Sequence, residues 1–248
     1  MENISIKNLL PAAEEVFNKL SNSELNFLNN FILVGGSALA IRLGHRQSED
    51  LYFFTYENWF DKNKIFEALN LFKDKTILSD SKEQINLICG GVKISFVNTA
   101  SNPEWQFLKP ESNNSIGSIN IATLDQLSAM KTHVLFLRSA FRDYYDIYIL
   151  GKYHMNIEKI YNNAEKLIPG MTFRLFTTAL TYVNDIKDEN IEYLKPKYNV
   201  NKQEISSFFE KEIKNYIAQL EQKQATEQDD AFTKDLNNRL NKGKGWKR

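Results

Sequence analysis

The residues best suited to chemistry fall in two short stretches. In the first, the apolar run Phe31-Ile32-Leu33-Val34 ends at Gly35-Gly36-Ser37 and passes into a helical segment closed by Gly44. Glycines let the main chain approach an anion, and the open amides and dipole at a helix amino terminus favour negative charge. A strand, a Gly-Gly-Ser turn and a helix can therefore hold phosphate, with Ser37 adding a hydroxyl donor. The same turn also serves purely structural ends. Arg42, His45 and Arg46 follow it and could add positive charge beside a bound anion. His45 has a second reading, as a side chain hydrogen-bonded to the last carbonyls of the helix that Gly44 caps. In the second stretch, Lys131, Arg138 and Arg142 share one narrow arc if a single helix runs through them, at about 100° per residue. Asp143 and Asp146 stand on one side of the segment that follows. Ion pairs within this set, such as Arg142 with Asp146, are the structural alternative, and exposed pairs of that kind contribute little, ~0–1 kcal/mol.

The elements that would position these residues can be read from periodicity. Leu9, Leu10, Ala13, Val16, Phe17 and Leu20 recur at helical spacing, and a second short helix opens after Ser21-Asn22-Ser23. Short strands are expected at 31–34 and 51–55, the second backed by a helix through Trp59, Ile65, Phe66, Leu69 and Phe72. Gly90-Gly91 between residues 84–89 and 92–97 is a hairpin signature, because paired glycines accept the positive φ angles of a tight turn. Residues 98–117 read as loop, and 116–122 as a last short strand. Strand signals then stop. Thr123 and Gln126 form a capping box that opens a helix to about Phe141, and a further segment spans 142–150. Apolar stripes at 157–167, 173–183 and 205–220 complete a helical region. The expected fold is α+β, a mixed sheet with flanking helices followed by a C-terminal helical bundle. The boundary is placed near residue 122, giving domains 1–122 and 123–248.

Composition narrows the partners only modestly. There are 248 residues, with 31 Lys+Arg against 31 Asp+Glu, and an ordinary 42% hydrophobic content. Disorder as the dominant state is excluded, and a uniformly basic nucleic-acid binder is not indicated. The last ten residues, RLNKGKGWKR, are basic and hold Trp246, so that end could contact phosphate backbones or be a solvated terminus. One cysteine, Cys89, gives no intrachain disulfide, and three scattered histidines give no zinc site. The first residues lack a basic region followed by an apolar core, and no apolar run reaches the ~18–20 residues of a membrane span. A cytoplasmic protein without membrane partners is the expectation.

Two blocks carry a family resemblance. FILVGGSALAIRLGHRQSEDLYFF, residues 31–54, resembles the nucleotidyltransferase family of the AbiEii toxins, within the polymerase-β-like superfamily. That pattern runs from an apolar strand through Gly-Gly-Thr/Ser-Ala-Leu and Arg-Leu-Gly-His-Arg to Ser-x-Asp-Leu-Asp-Phe-Phe. LSAMKTHVLFLRSAFRDYYDIYIL, residues 127–150, is similar to the family's late motif, a helical Lys, an Arg seven residues on, and Arg/Lys-Asp-x-x-Asp. The resemblance implies a nucleotidyltransferase-like sheet that holds a nucleoside triphosphate at Gly35, Gly36 and Ser37, with Arg46 and Lys131 near the phosphates. It implies catalytic roles for Asp50, Lys131 and Asp143, and magnesium at Asp50. It also implies an RNA or protein hydroxyl as acceptor, a cognate antitoxin, and a toxin–antitoxin or phage-defence role in abortive infection.

The chain departs from that pattern where metal would bind. Asp-x-Asp spacing puts two carboxylates on one strand face, since side chains i and i+2 point the same way. Here Asp50 is followed by Tyr52, and the third expected carboxylate falls at Ser95. Glu49, adjacent to Asp50, would face the other side of a strand. Hard cations prefer carboxylate oxygen, so this set supplies magnesium poorly. The alternative is a degenerate, non-catalytic member that binds nucleotide, RNA or protein.

Overall fold

The computed structural model describes residues 4–23, 26–57 and 60–243. Trp59, assigned to a helix above, and residues 244–248 with Trp246 lie outside them, as do the side chains of 239–243. After α1 (Pro11–Ser21) come β1 (Ile32–Val34), α2 (Gly35–Leu43), β2 (Leu51–Thr55) and α3 (Lys62–Ala68). Next are β3 (Lys75–Asp80), β4 (Gln84–Cys89), β5 (Val92–Asn98), β6 (Ser115–Ile116) and β7 (Ile119–Ile121). The rest is helical: α4 (Leu124–Leu137), α5 (Phe141–Tyr153), α6 (Ile157–Leu167), α7 (Phe173–Thr181) and α8 (Lys202–Gly243).

The strands form one seven-stranded mixed sheet in the order β3-β4-β5-β2-β1-β7-β6. The pairs β2–β5 and β1–β7 are parallel and the other pairs antiparallel. Central β1 is buried at every residue, as its unbroken apolar run requires, whereas β2 alternates, with Leu51, Phe53 and Thr55 buried and Tyr52 and Phe54 half-buried. Register places Val34, Tyr52, Ser95, Asn86 and Ser79 in one row across the sheet. That row leads from the carboxyl end of β1 to the sheet's edge.

Helix α4 opens on the expected capping box, and Gln126 also donates to the carbonyls of Phe107 and Lys109. It packs against α2, α5 and α6, so the helical region meets the sheet beside the turn from β1 to α2. Three elements differ from expectation. Strand β3 was not foreseen, because as an edge strand it is exposed at every residue, Ile77 and Leu78 included, and carries no burial alternation. The segment read as loop contains a 3-10 turn at Pro103–Leu108 as well as β6. The predicted apolar face of α8 packs only as far as Tyr216, since Ile217 and Leu220 are exposed.

Candidate active site

The first motif folds more tightly than its spacing suggests. Helix α2 begins at Gly35, two residues before Ser37, and Gly35 takes a φ of 75°. A Cβ on Gly36 would lie 2.7 Å from an Arg46 guanidinium nitrogen, so only glycine admits the arginine there. Buried Ser37 does not point outward. Its Oγ meets the Ser48 hydroxyl at 3.0 Å and the main-chain carbonyl of Asp50, tying α2 to the loop that leads into β2. Val34, at the helix N-cap, offers no side-chain acceptor, so no side chain caps the first amides of α2 where Gly36 lines the adjoining cleft.

Behind that cleft lies a buried charge cluster. Asp146 accepts from Arg46 through both oxygens, at 2.6 and 2.7 Å, and from His45 Nε2 at 2.7 Å. Lys131 bridges Asp146 at 2.5 Å and Asp143 at 2.9 Å, and Arg138 meets Asp143 at 2.8 Å. Lys131, Arg46 and both aspartates are buried. Burial opposes charge on Asp146, but Arg46, Lys131 and His45 overcome it and hold its carboxyl well below the usual range. Burial likewise works against charge on Asp143, and Lys131 and Arg138 outweigh it, keeping that carboxyl low. Burial pulls the His45 imidazole down from 6.5 more strongly than Asp146 lifts it. The ring is therefore neutral near pH 7, with Nε2–H donating to Asp146, and Nδ1 has no partner among the described residues. His45 thus serves Asp146, not the carbonyls at the end of α2, where the Gly44 amide already caps Ala40.

The cleft is lined by Gly36, Arg46, Ser48, Glu49 and Asp50, by Tyr52, and on the opposite side by Lys131, Arg138, Arg142 and Leu194. Helix α4 ends at Leu137 instead of running to Phe141, and Arg138 is extended at φ −155°. The arc drawn through one continuous helix is therefore broken, yet both arginines reach the cleft. Arg142 pairs with Glu49 at 3.4 Å, not with Asp146. Glu49 faces the same cleft as Asp50 because both precede the first residue of β2 and escape strand alternation.

The donors present do not fit two divalent ions. Asp50 is the carboxylate for which the sequence resemblance implied magnesium, and its side chain makes no hydrogen bond or ion pair among the described residues. Burial and the neighbouring Asp50 charge raise the Tyr52 phenol above 10.0, so it stays protonated and a poor ligand. Ser95 donates to Asn86 Oδ1 at 2.6 Å, and Asn86 donates to Ser79 at 2.8 Å. Among the described residues no group of three or more His, Cys, Asp or Glu could hold a metal ion.

Of the predicted residues, Gly36, Arg46, Asp50 and Lys131 thus line one cleft, with Gly35 at its edge. Asp143 stands behind Lys131 and Ser37 is enclosed in the turn. Sequence reasoning missed Ser48 and Leu194, and it set Glu49 on the wrong side of the strand. Leu194 reaches the site from a distant segment whose carbonyl accepts from the Gln47 amide, a contact without a local signal.

Two stability tests follow from the cluster. Asp146→Asn strands Arg46 and Lys131 beside a neutral amide, and breaking a buried pair costs roughly 3–5 kcal/mol; urea unfolding measures it, and a loss below ~1 kcal/mol would contradict the cluster's role. His45 is held neutral while the unfolded chain takes up its proton near pH ~6.5. Its contribution is complete above that pH and declines as pH falls toward the native value, by at most ~1.4 kcal/mol per pH unit. Partly exposed His133, also lowered by burial, adds a smaller effect of the same sign. Asp143 and Asp146 hold their contribution until below pH ~4, so a decline between pH 6.5 and 5 that His45→Gln flattens identifies the histidine. No decline over that interval would refute the assignment.

Known proteins resemble this chain in sequence and in fold. The family model "Nucleotidyl transferase AbiEii toxin, Type IV TA system" matches residues 19–242. An uncharacterized protein of Aquifex aeolicus (strain VF5), aq_aa25, is 30% identical over 198 residues, covering 78% of this chain and 91% of that protein. The crystal structure of JHP933 from Helicobacter pylori shares the fold, with a TM-score of 0.54 at 17% identity over 86% of this chain and 94% of that one. MenT4, a nucleotidyltransferase toxin of Mycobacterium tuberculosis, aligns at a TM-score of 0.47 and 14% identity over 85% of this chain and 95% of its own. The family match spans both motif blocks and the helices that hold them, and the chain belongs to the AbiEii nucleotidyltransferase toxins of type IV toxin–antitoxin systems.

Proposed function

We propose that this chain binds a nucleoside triphosphate in the cleft and transfers its nucleotidyl group to a hydroxyl of RNA or protein. One observation carries the reading. The uncapped amino end of α2 faces a cleft whose other side presents Arg138 and Arg142, with the unpaired carboxylate of Asp50 on its floor. Helix amides and arginine forks both suit phosphate oxygens. Arg142, 27% exposed and held by Glu49 only at 3.4 Å, can turn to an incoming phosphate at little cost. Lys131 remains with Asp143 and Asp146, and its part is to keep Arg138 and the α4–α5 junction in place.

The transfer would be an in-line displacement. Asp50 takes the proton of the acceptor hydroxyl, the freed oxygen bonds to the α-phosphorus, and the bond from that phosphorus to the bridging oxygen breaks to release pyrophosphate. Arg138 and Arg142 neutralise charge on the departing group. In the setting of the family, a cognate antitoxin would restrain this activity in the cytoplasm, with growth arrest during phage infection as its outcome. No helix among the described residues is long and apolar enough to cross a membrane.

A second reading has its own support. Tyr52 and Ser95 occupy the metal face, and a non-catalytic member would keep the cleft as a nucleotide-, RNA- or protein-binding module. Calorimetry with each nucleoside triphosphate is expected to detect binding that Arg142→Ala weakens about tenfold, the loss of one charge-assisted contact. Absence of heat with all of them would refute nucleotide binding. Incubation of the labelled nucleotide with total RNA and protein then separates the readings. Transfer that Asp50→Asn abolishes while binding persists supports the enzyme, and binding with no transfer supports the module.

A further inference from the structure

Beside the charged cleft, one face of α4 turns apolar. Met130, Val134 and Leu137 follow one another at helical spacing, with His133 on their flank and with Lys131 and, just past the end of the helix, Arg138 beside them. Across from them, Tyr52 and Phe54 project two residues apart from the same side of β2. Trp105 closes the end of the gap, 5.6 Å from the Phe54 ring and at right angles to His133 at 5.2 Å. The slot has a volume of about 230 Å³ and opens to solvent beside Leu137, which is 68% exposed. It runs into the charged cleft, and Gly36, Tyr52, Lys131 and Arg138 line both.

We propose that this slot receives the base of the same nucleoside triphosphate whose phosphates occupy the cleft, a site that rests on the nucleotide reading above. The occupant follows from continuity and chemistry. A cation-lined cleft opening into an aromatic slot complements a molecule with a multiply charged end and a flat apolar end joined by a short linker. Base stacking on aromatic side chains is worth roughly 1–3 kcal/mol per base and tolerates any base. His133 supplies what stacking lacks. Burial keeps its imidazole neutral, so it offers one donor and one acceptor to a base edge.

Calorimetry on the full chain with ATP, GTP, CTP, UTP and inorganic tripolyphosphate isolates the base. Wild type is expected to bind at least one of the four nucleotides about tenfold more tightly than tripolyphosphate. Val134→Phe, which places a ring in the slot at a half-buried position, should remove that preference and leave tripolyphosphate binding unchanged. Should that variant fail to fold, His133→Ala decides, with an expected loss of about fivefold for the nucleotide alone. Equal affinities for nucleotide and tripolyphosphate in wild type would overturn the slot while leaving the phosphate cleft intact. A preference that survives both variants, or an equal loss of tripolyphosphate binding in them, would overturn it as well. If neither nucleotide nor tripolyphosphate binds, the slot and the nucleotide reading fall together.

Discussion

Asp146 holds a full negative charge in the interior, and the geometry of the cleft depends on how that charge is compensated. An ionised carboxylate removed from water costs several kcal/mol unless its oxygens are filled by charged donors. Here both oxygens are filled, by the fork of Arg46, the Nε2–H of His45 and the ammonium of Lys131. Those donors come from the loop after α2 and from α4, whereas Asp146 belongs to α5. One side chain therefore fastens the sheet's functional turn to the helical region. The close approach of Arg46 to Gly36 is a consequence, since a guanidinium held at both ends cannot retreat from an added Cβ.

The cluster also sorts the cations. In the sequence, Arg46 and Lys131 are the candidates for phosphate while Arg138 and Arg142 only share an arc with Lys131, but the four differ sharply in what already holds them. Arg46 and Lys131 are buried against carboxylates, so a phosphate would have to compete with contacts that the fold itself requires. Arg138, with a side chain 46% exposed, and Arg142 keep donors toward solvent. Three cations shared by two carboxylates leave the cluster with one unit of positive charge, directed at the cleft through Arg138. Positive charge for a ligand thus originates at the α4–α5 junction rather than at the residues next to the glycine turn.

Much of this was legible in the sequence where chemistry is local. The Gly-Gly turn, the Gly90-Gly91 hairpin and the Thr123–Gln126 capping box each declare themselves within a few residues. The motif blocks also located most residues of the cleft. What could not be read was direction and partnership. Ser37 sits where a phosphate donor would, yet Ser48 and the Asp50 carbonyl turn it inward. The pairing of Asp146 with residues a hundred positions earlier depends on tertiary packing, and Arg142 finds Glu49 only because α4 ends at Leu137. Edge strand β3 was hidden for a different reason, since a strand that buries neither face shows no alternation.

The row across the sheet holds no carboxylate, and its stability does not depend on a bound cation. Carboxylates on neighbouring strands repel one another and need a cation between them, so such a row is strained whenever the ion is absent. Tyr52, Ser95, Asn86 and Ser79 need none. The phenol is protonated, and Ser95, Asn86 and Ser79 satisfy one another through two short hydrogen bonds. Such a row also gives a metal ion little to bind on that face. In the proposed nucleotide complex the balancing charge comes from across the cleft, from Arg138 and Arg142, while Tyr52 forms part of the wall of the apolar slot. A tyrosine at position 52 therefore both disfavours metal and helps build the aromatic slot, two effects of a single half-buried side chain on β2.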